Sequence, residues 1–271
     1  MRPARTATAV VLAVVLAIGM TSAPAAAGVA DRIGATFTLM ADDFIQAFQP
    51  VEGIVVSVDE SEIFLDIGSL RGGQLGQEYT IFRKGAPFIH PLTGKPLGRY
   101  EDILGWAQVR RVQPEFAVAS FVAAPDKPRP EAEDGARITR GRIKIAVAPV
   151  LDMTISGADL RRVPYLIGTV LERSKRFQAV DPTVVNDMFA SGGLRVEEML
   201  AKPERAVRAA KNLDVAGWIV PVLLERRGTI TLDVTYISAI TGVALFSRRQ
   251  NLLPNSAAEE QRFPWEPPVE D

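Results

Sequence analysis

The chain has no cysteine, a single histidine and few aromatic residues. Without thiols there is no disulfide, no thiol nucleophile, no cysteine-ligated zinc and no cysteine to carry a lipid. The lone histidine, His90, has no histidine or carboxylate companion nearby, so neither a metal cluster nor a Ser-His-Asp arrangement is supported. Neither charge dominates: 31 Lys and Arg face 32 Asp and Glu, for a formal net charge of -1. That balance gives no overall pull toward nucleic acid or anionic membrane. Beyond the N-terminus, no apolar run reaches the ~20 residues that span a bilayer.

The N-terminus itself is informative. Arg2 and Arg5 precede an apolar run from Ala7 to Met20, and Ala25-Ala26-Ala27 follows. This pattern predicts a secretory signal peptide over residues 1–27, cleaved before Gly28. The mature chain is expected to be periplasmic or secreted and not membrane-spanning. With 47% hydrophobic residues it has enough apolar side chains for real cores. Its length suggests two domains at roughly 150 residues each.

Residues 28–50 read as an amphipathic helix, because Ile33, Phe37, Met40, Phe44 and Phe48 share one face. It is expected to pack on the domain that follows. Residues 51–124 are β-rich. Ile54, Val56 and Val58 alternate on one face of a first strand, and Ile63, Leu65 and Ile67 on one face of a second. Three further strands at 78–83, 103–112 and 116–122 predict a small antiparallel barrel. Residues 84–102 read as a long loop. The Pro- and charge-rich stretch 125–142 reads as an extended, solvated linker.

From 143 the pattern alternates. "IKIAVAPV" suits a buried strand, 159–175 a helix with Pro164 in its first turn, and "FQAV" a short strand. Asp181 caps a helix that starts at Pro182, and a second helix over 195–213 is broken near Pro203. Strands at 217–224, 229–237 and 243–249 follow, with Pro221 expected at an edge or bulge. This predicts an α/β sandwich with a mixed sheet over 143–252. Residues 253–271 read as a disordered tail in which Phe263 and Trp265 are candidate partner anchors.

Several stretches invite chemistry. Gly68, Gly72, Gly73 and Gly76 lead into a strand and carry no Gly-Lys-Ser/Thr, so they are turn glycines and not a phosphate loop. Asp59, Glu60, Glu62 and Asp66 cluster at a hairpin without the facing geometry of a glycosidase pair or the spacing of a calcium loop. No catalytic residue, cofactor site or metal site is assigned. What remains is the stretch "FIHPLTGKPL" at 88–97. Arg83, Lys84, Lys95 and Arg99, interleaved with Phe88 and Tyr100, make a candidate partner-binding rim. Its core shares the spacing aliphatic-Thr-Gly-x-x-Leu with "ITGVAL" at 240–245, which marks it as turn chemistry with His90 bonding backbone.

Two resemblances rest on such stretches. "GIVVSV", "FLDIGSLRGGQLGQEYTIFRKG", "HPLTGKPLG" and "GWAQVRRVQPEFAVASF" resemble the C-terminal SH3-like barrel of the flagellar assembly protein T family. "IKIAVAPV", "LERSKRFQAVDP", "LDVAGWIVPVLL" and "ISAITGVALF" resemble the N-terminal α/β domain of TolB and the middle domain of the flagellar family. The resemblance implies an α+β chain of two domains without catalysis. It implies a periplasmic envelope-assembly adaptor or scaffold, with flagellar or outer-membrane machinery as candidate settings. The alternative is a binding protein for an anionic glycan, such as peptidoglycan, or a small ligand, through the basic 83–99 loop.

Overall fold

The computed structural model describes residues 28–154, 157–191 and 194–254. The expected signal segment 1–27, Phe263 and Trp265 lie outside the described residues. No described helix is long and apolar enough to cross a membrane.

Helix α1 (Val29–Ala47) buries the stripe read from the sequence: Ile33, Phe37 and Phe44 are wholly shielded and Met40 and Phe48 nearly so. Its destination differs from expectation. It packs on helix α2 (Val163–Arg173) and on strands β11 (Thr229–Ser238) and β12 (Ala244–Asn251), with Phe44 edge-on to Phe246 at 4.9 Å. A stripe states how much surface must be buried, not against what, and the matching surface lies about 200 residues away. The barrel is therefore inserted between a helix and the sheet that helix covers.

Six strands close the barrel in the order β1-β2-β5-β4-β3-β6. They are β1 (Glu52–Val58), β2 (Glu62–Leu65), β3 (Glu78–Ile89), β4 (Pro96–Val112), β5 (Ala117–Ala123) and β6 (Gly135–Arg137). Every pairing is antiparallel. Ile63, Leu65 and Ile67 point into the core as expected. Strand β1 does not follow: Val55 is the core residue, while Ile54 and Val56 face out. A register shift between Val55 and Ser57 explains how an alternating strand slips and turns its faces over. The second correction is β6. It lies inside the stretch read as a solvated linker, yet it pairs with both β1 and β3 and seals the barrel. The signal was faint because β6 is only Gly-Ala-Arg. A Cβ at Gly135 would overlap the Phe82 ring, so only glycine lets this strand pass beneath it.

The second sheet is mixed and runs β12-β11-β10-β7-β9, with β8 also against β10. Its remaining strands are β7 (Ile143–Val147), β8 (Leu151–Met153), β9 (Phe177–Ala179) and β10 (Gly217–Arg226). Helices α1 and α2 cover one face. Helices α3 (Pro182–Ser191), α4 (Val196–Ala201) and α5 (Pro203–Leu213) cover the other, around Trp218, whose indole N–H donates to the Ala206 carbonyl at 3.0 Å. Pro164 sits in the first turn of α2, and Asp181 accepts from the Thr183 amide at the start of α3, as read from the sequence. Pro221 sits on neither an edge nor a bulge but in a central strand. The Ile219 carbonyl accepts from the Ala148 amide, so by alternation Pro221 faces the same side, in the gap where β10 leaves β7 and has not yet met β8. Its missing donor falls where no acceptor waits.

The two sheets and α1 meet at one polar junction. The Gln77 amide donates to the Ala47 carbonyl at 2.9 Å, and the Arg176 guanidinium donates to the carbonyls of Phe48 (2.5 Å) and Gly141 (2.6 Å). Tyr79 donates to the side-chain oxygen Oε1 of Gln77, and the Phe48 ring packs against Phe177 and Tyr236. Beside them the Ser238 hydroxyl donates to Glu78 at 2.7 Å, joining β11 to the first residue of β3. Burial pushes the Glu78 carboxyl up to about 7, against the lowering effect of Ser238, and burial also raises Tyr236.

This raised carboxyl has a measurable consequence. Between pH ~4.5 and ~7 the folded chain holds a proton on Glu78 that the unfolded chain has released. Stability therefore falls as pH rises through that window, by an amount on the order of 3 kcal/mol. Glu78→Gln keeps an acceptor for Ser238 and carries no charge. Urea unfolding across pH 4.5 to 8 is expected to show a smaller decline for the variant, and a higher stability than the parent above pH ~7.

Candidate interaction surfaces

The stretch read as a loop is a two-stranded arm. β3 pairs with β6 only as far as Phe82, and β4 pairs with β5 only from Gly105 onward. Beyond those points β3 and β4 pair with each other alone, through Lys84↔Glu101, Pro87↔Arg99, Phe88↔Gly98 and Ile89↔Pro96. Every residue from Lys84 to Ile103 is exposed except His90, which is half-buried.

His90 organises the tip. Its Nδ1 accepts the amides of Leu92 and Thr93, both at 3.2 Å. Its amide donates to the Lys95 carbonyl, and its carbonyl accepts from Gly94, whose φ is +65°. The hairpin between β11 and β12 repeats this pattern. Ser238 Oγ accepts the amides of Ile240 and Thr241, the Ser238 amide donates to Val243, and Gly242 (φ +68°) donates back to the Ser238 carbonyl. The shared spacing is thus one turn built twice, with His90 in the place of Ser238. A side-chain acceptor two and three residues before the amides it binds, and a glycine in the left-handed region, are what the turn needs.

The expected basic rim divides into two groups. Arg83 is structural: Nε and Nη2 each meet a carboxylate oxygen of buried Asp134 at 2.8 Å, with Glu131 at 3.3 Å. Burial alone would raise the Asp134 carboxyl, but Arg83 and the Glu131 amide outweigh it and hold it below its ordinary range. Lys84 lies 3.9 Å from Glu52 and 5.8 Å from the Phe82 ring centre. Arg137 holds Glu101 with both nitrogens, and Lys127 holds Asp102. Lys95 and Arg99, further out, have no carboxylate within ion-pair distance among the described residues. Phe88 and Tyr100 touch edge-on at 5.3 Å. The structure adds Ile89, Leu92 and Leu97, which sequence reading assigned to a turn; Leu92 is 90% exposed. The available signal was an apolar stretch with no acid between Gly85 and Tyr100.

A cleft of about 420 Å³ lies at the base of the arm, lined by Glu52, Lys84, Glu101, Arg137 and Arg140 among others. Its charges are spent on one another: Lys84 and Arg140 lie near Glu52, and Arg137 holds Glu101. Among the described residues no group of three His, Cys, Asp or Glu is placed to hold a metal.

The edges of the second sheet also differ. On β9 the outward carbonyl of Phe177 accepts from Arg142 (3.1 and 2.9 Å), and the outward amide of Ala179 donates to Glu172 (3.2 Å). That edge is closed by side chains. On β12 the Leu252 amide donates inward to Ile230, so alternation turns the amides and carbonyls of Ser247, Arg249 and Asn251 outward; of these the Ser247 carbonyl accepts from Arg248 at 3.3 Å. Among the described residues no strand pairs with that side.

No family model matches the chain, and a search of curated proteins gives no match. Among solved structures it is similar to the C-terminal domain of LpoB from Escherichia coli, at 15% identity over 43% of this chain and 86% of that one, TM-score 0.36. It is similar to the lipoprotein GNA1162 from Neisseria meningitidis, at 15% identity over 40% and 78%, TM-score 0.32. It is similar to the PelC dodecamer from Paraburkholderia phytofirmans, at 9% identity over 44% and 78%, TM-score 0.28. These findings replace the resemblance to flagellar assembly protein T and TolB. That resemblance rested on strand-and-turn strings, and strands with glycine turns recur in unrelated sheets.

Two variants separate the roles within the rim. Arg83→Ala leaves the Asp134 carboxylate buried without its partner and is expected to cost about 3–5 kcal/mol in urea unfolding, whereas Lys95→Ala is expected to stay within about 0.5 kcal/mol of the parent. At the tip, His90→Ala is expected to speed hydrogen exchange at the Leu92 and Thr93 amides with little change in global stability. His90→Asn, which keeps an acceptor, should restore much of the protection.

Proposed function

We propose that this chain is a non-enzymatic adaptor or scaffold of the cell envelope, acting in the periplasm after export. One observation carries the reading: the sheet's two edges are treated differently. The β9 edge has its outward groups satisfied by Arg142 and Glu172, while on the longer β12 edge only the Ser247 carbonyl accepts a side-chain donor, Arg248, and the other outward groups of Ser247, Arg249 and Asn251 face any strand that approaches. Such an edge gives affinity through main-chain hydrogen bonds and suits strand addition by a protein partner. The β12 side chains Arg248 and Arg249 are tied to Asp43 and Asp233, which leaves the edge polar and less prone to pair with itself. The charged groups at the barrel cleft, occupied with one another, offer no free base beside a nucleophile, which supports an interaction role over a hydrolytic one.

The test places a photo-crosslinking residue at Gln250 on β12 and, as control, at Gln178 on β9, in cells of the source organism. A discrete protein adduct at Gln250 and not at Gln178 is expected. Ser247→Pro removes one outward donor and spares the ladder to β11, so it should abolish the adduct while the melting temperature stays within a few degrees. No adduct at either position, or equal adducts at both, would sink the proposal.

A further inference from the structure

We propose that the tip of the β3–β4 arm, from Phe88 to Arg99, inserts shallowly into the interface of an anionic lipid layer. Three independent features of the arm converge on that partner.

The first is charge. The whole chain is nearly neutral, but its charges are unevenly placed. Between Gly85 and Tyr100 there is no Asp or Glu. The acids of the arm, Glu101 and Asp102, stand at its root, where Arg137 and Lys127 neutralise them. Lys95 and Arg99 stand further out with no carboxylate in reach among the described residues. The distal arm is therefore a small cationic body on a neutral protein, complementary to an anionic surface.

The second is the distribution of apolar groups. Phe88 and Tyr100 touch on one face of the ribbon. Ile89, next to Phe88 along β3, lies on the opposite face, and Leu92 crowns the turn. All four are exposed. A rigid protein surface covers one face of a ribbon. A fluid apolar medium covers both faces and the tip together, while Lys95 and Arg99 reach back to head groups and the aromatic pair sits at the boundary.

The third is the backbone. A two-stranded ribbon has two free edges, whose amides would be costly to carry into an apolar medium. Pro87, Pro91 and Pro96 leave the distal arm three amide donors fewer within ten residues of chain. The same prolines oppose strand addition here, in contrast to β12. The His90 turn ties up the amides of Leu92, Thr93 and Gly94, so the most protruding segment carries few free donors.

The experiment is vesicle flotation of the full mature chain. Vesicles of equal parts phosphatidylethanolamine and phosphatidylglycerol are compared with pure phosphatidylcholine. The parent is expected to float with the anionic vesicles at least about tenfold better than with the neutral ones, and less well as salt rises. Leu92→Ser with Leu97→Ser, and separately Lys95→Glu with Arg99→Glu, should each lower binding about tenfold or more. All four positions are exposed, and matching thermal melts check that the body is intact. Failure of the parent to float with anionic vesicles overturns the proposal. So does loss of binding with the charge pair but not with the leucine pair, which would make the arm a contact for an acidic protein or glycan surface. The β12 crosslink is independent of this result, so either proposal can fail alone.

Discussion

The C-terminal end of α1 is the constraint on which the remaining architecture depends. A helix leaves its last carbonyls without partners, and here that end is buried between two sheets. Gln77, from the barrel, and Arg176, from the strand-helix layer, each answer one of those carbonyls. One helix end is thereby bonded to both halves of the molecule. Removing either donor would strand a buried carbonyl, at a cost of ~1–3 kcal/mol. Phe48 wedges between Phe177 and Tyr236 at the same place, and Glu78 reaches Ser238 beside it. The barrel is thus held as a fixed fixture of the sheet, not as a bead on a string, and the arm it carries projects from a rigid base.

The same economy governs the charged residues. Ion pairs concentrate where strands end or begin: Arg83 with Asp134 at the entry to β6, Arg137 with Glu101 and Lys127 with Asp102 at the root of the arm, Arg71 with Asp66 at the glycine turn. The buried pair has stakes because Asp134 is shielded from water, while the exposed pairs each contribute little alone. Their joint effect is to leave the arm's distal half electrically distinct from its root.

What could be read in advance follows from what each signal reports. Long periodic segments were legible: α1, the split between α4 and α5 at Pro203, the cap at Asp181, and the strands of the second sheet apart from the three-residue β8. The repeated turn at His90 and Ser238 was also legible, since its spacing is fixed by local hydrogen bonds. Among the features that were not, three show why. The face of β1 depended on a register shift that leaves no trace in alternation. Strand β6 is three residues in a charged stretch, and it exists because the barrel needs closing, not because Gly-Ala-Arg prefers extension. Arg83 looked like the other basic residues of its stretch, because its partner Asp134 lies 51 residues on. Long-range pairing is invisible to a window that reads neighbours.

The covering of the sheet by α1 also sets an order of events in time. Arg32 donates to the Leu253 carbonyl, Thr36 accepts the Leu253 amide, and Asp43 holds Arg248, across separations of 221, 217 and 205 residues. The first element of the fold is completed by the last. Until the C-terminal strand has emerged, the apolar stripe of α1 can meet α2 but lacks the part of its surface that β11 and β12 supply, and such long loops close slowly. In a chain wired in this way the layer of α1 on the sheet becomes whole only when residues near Leu253 are in place, so the seam between its two ends is the last to close.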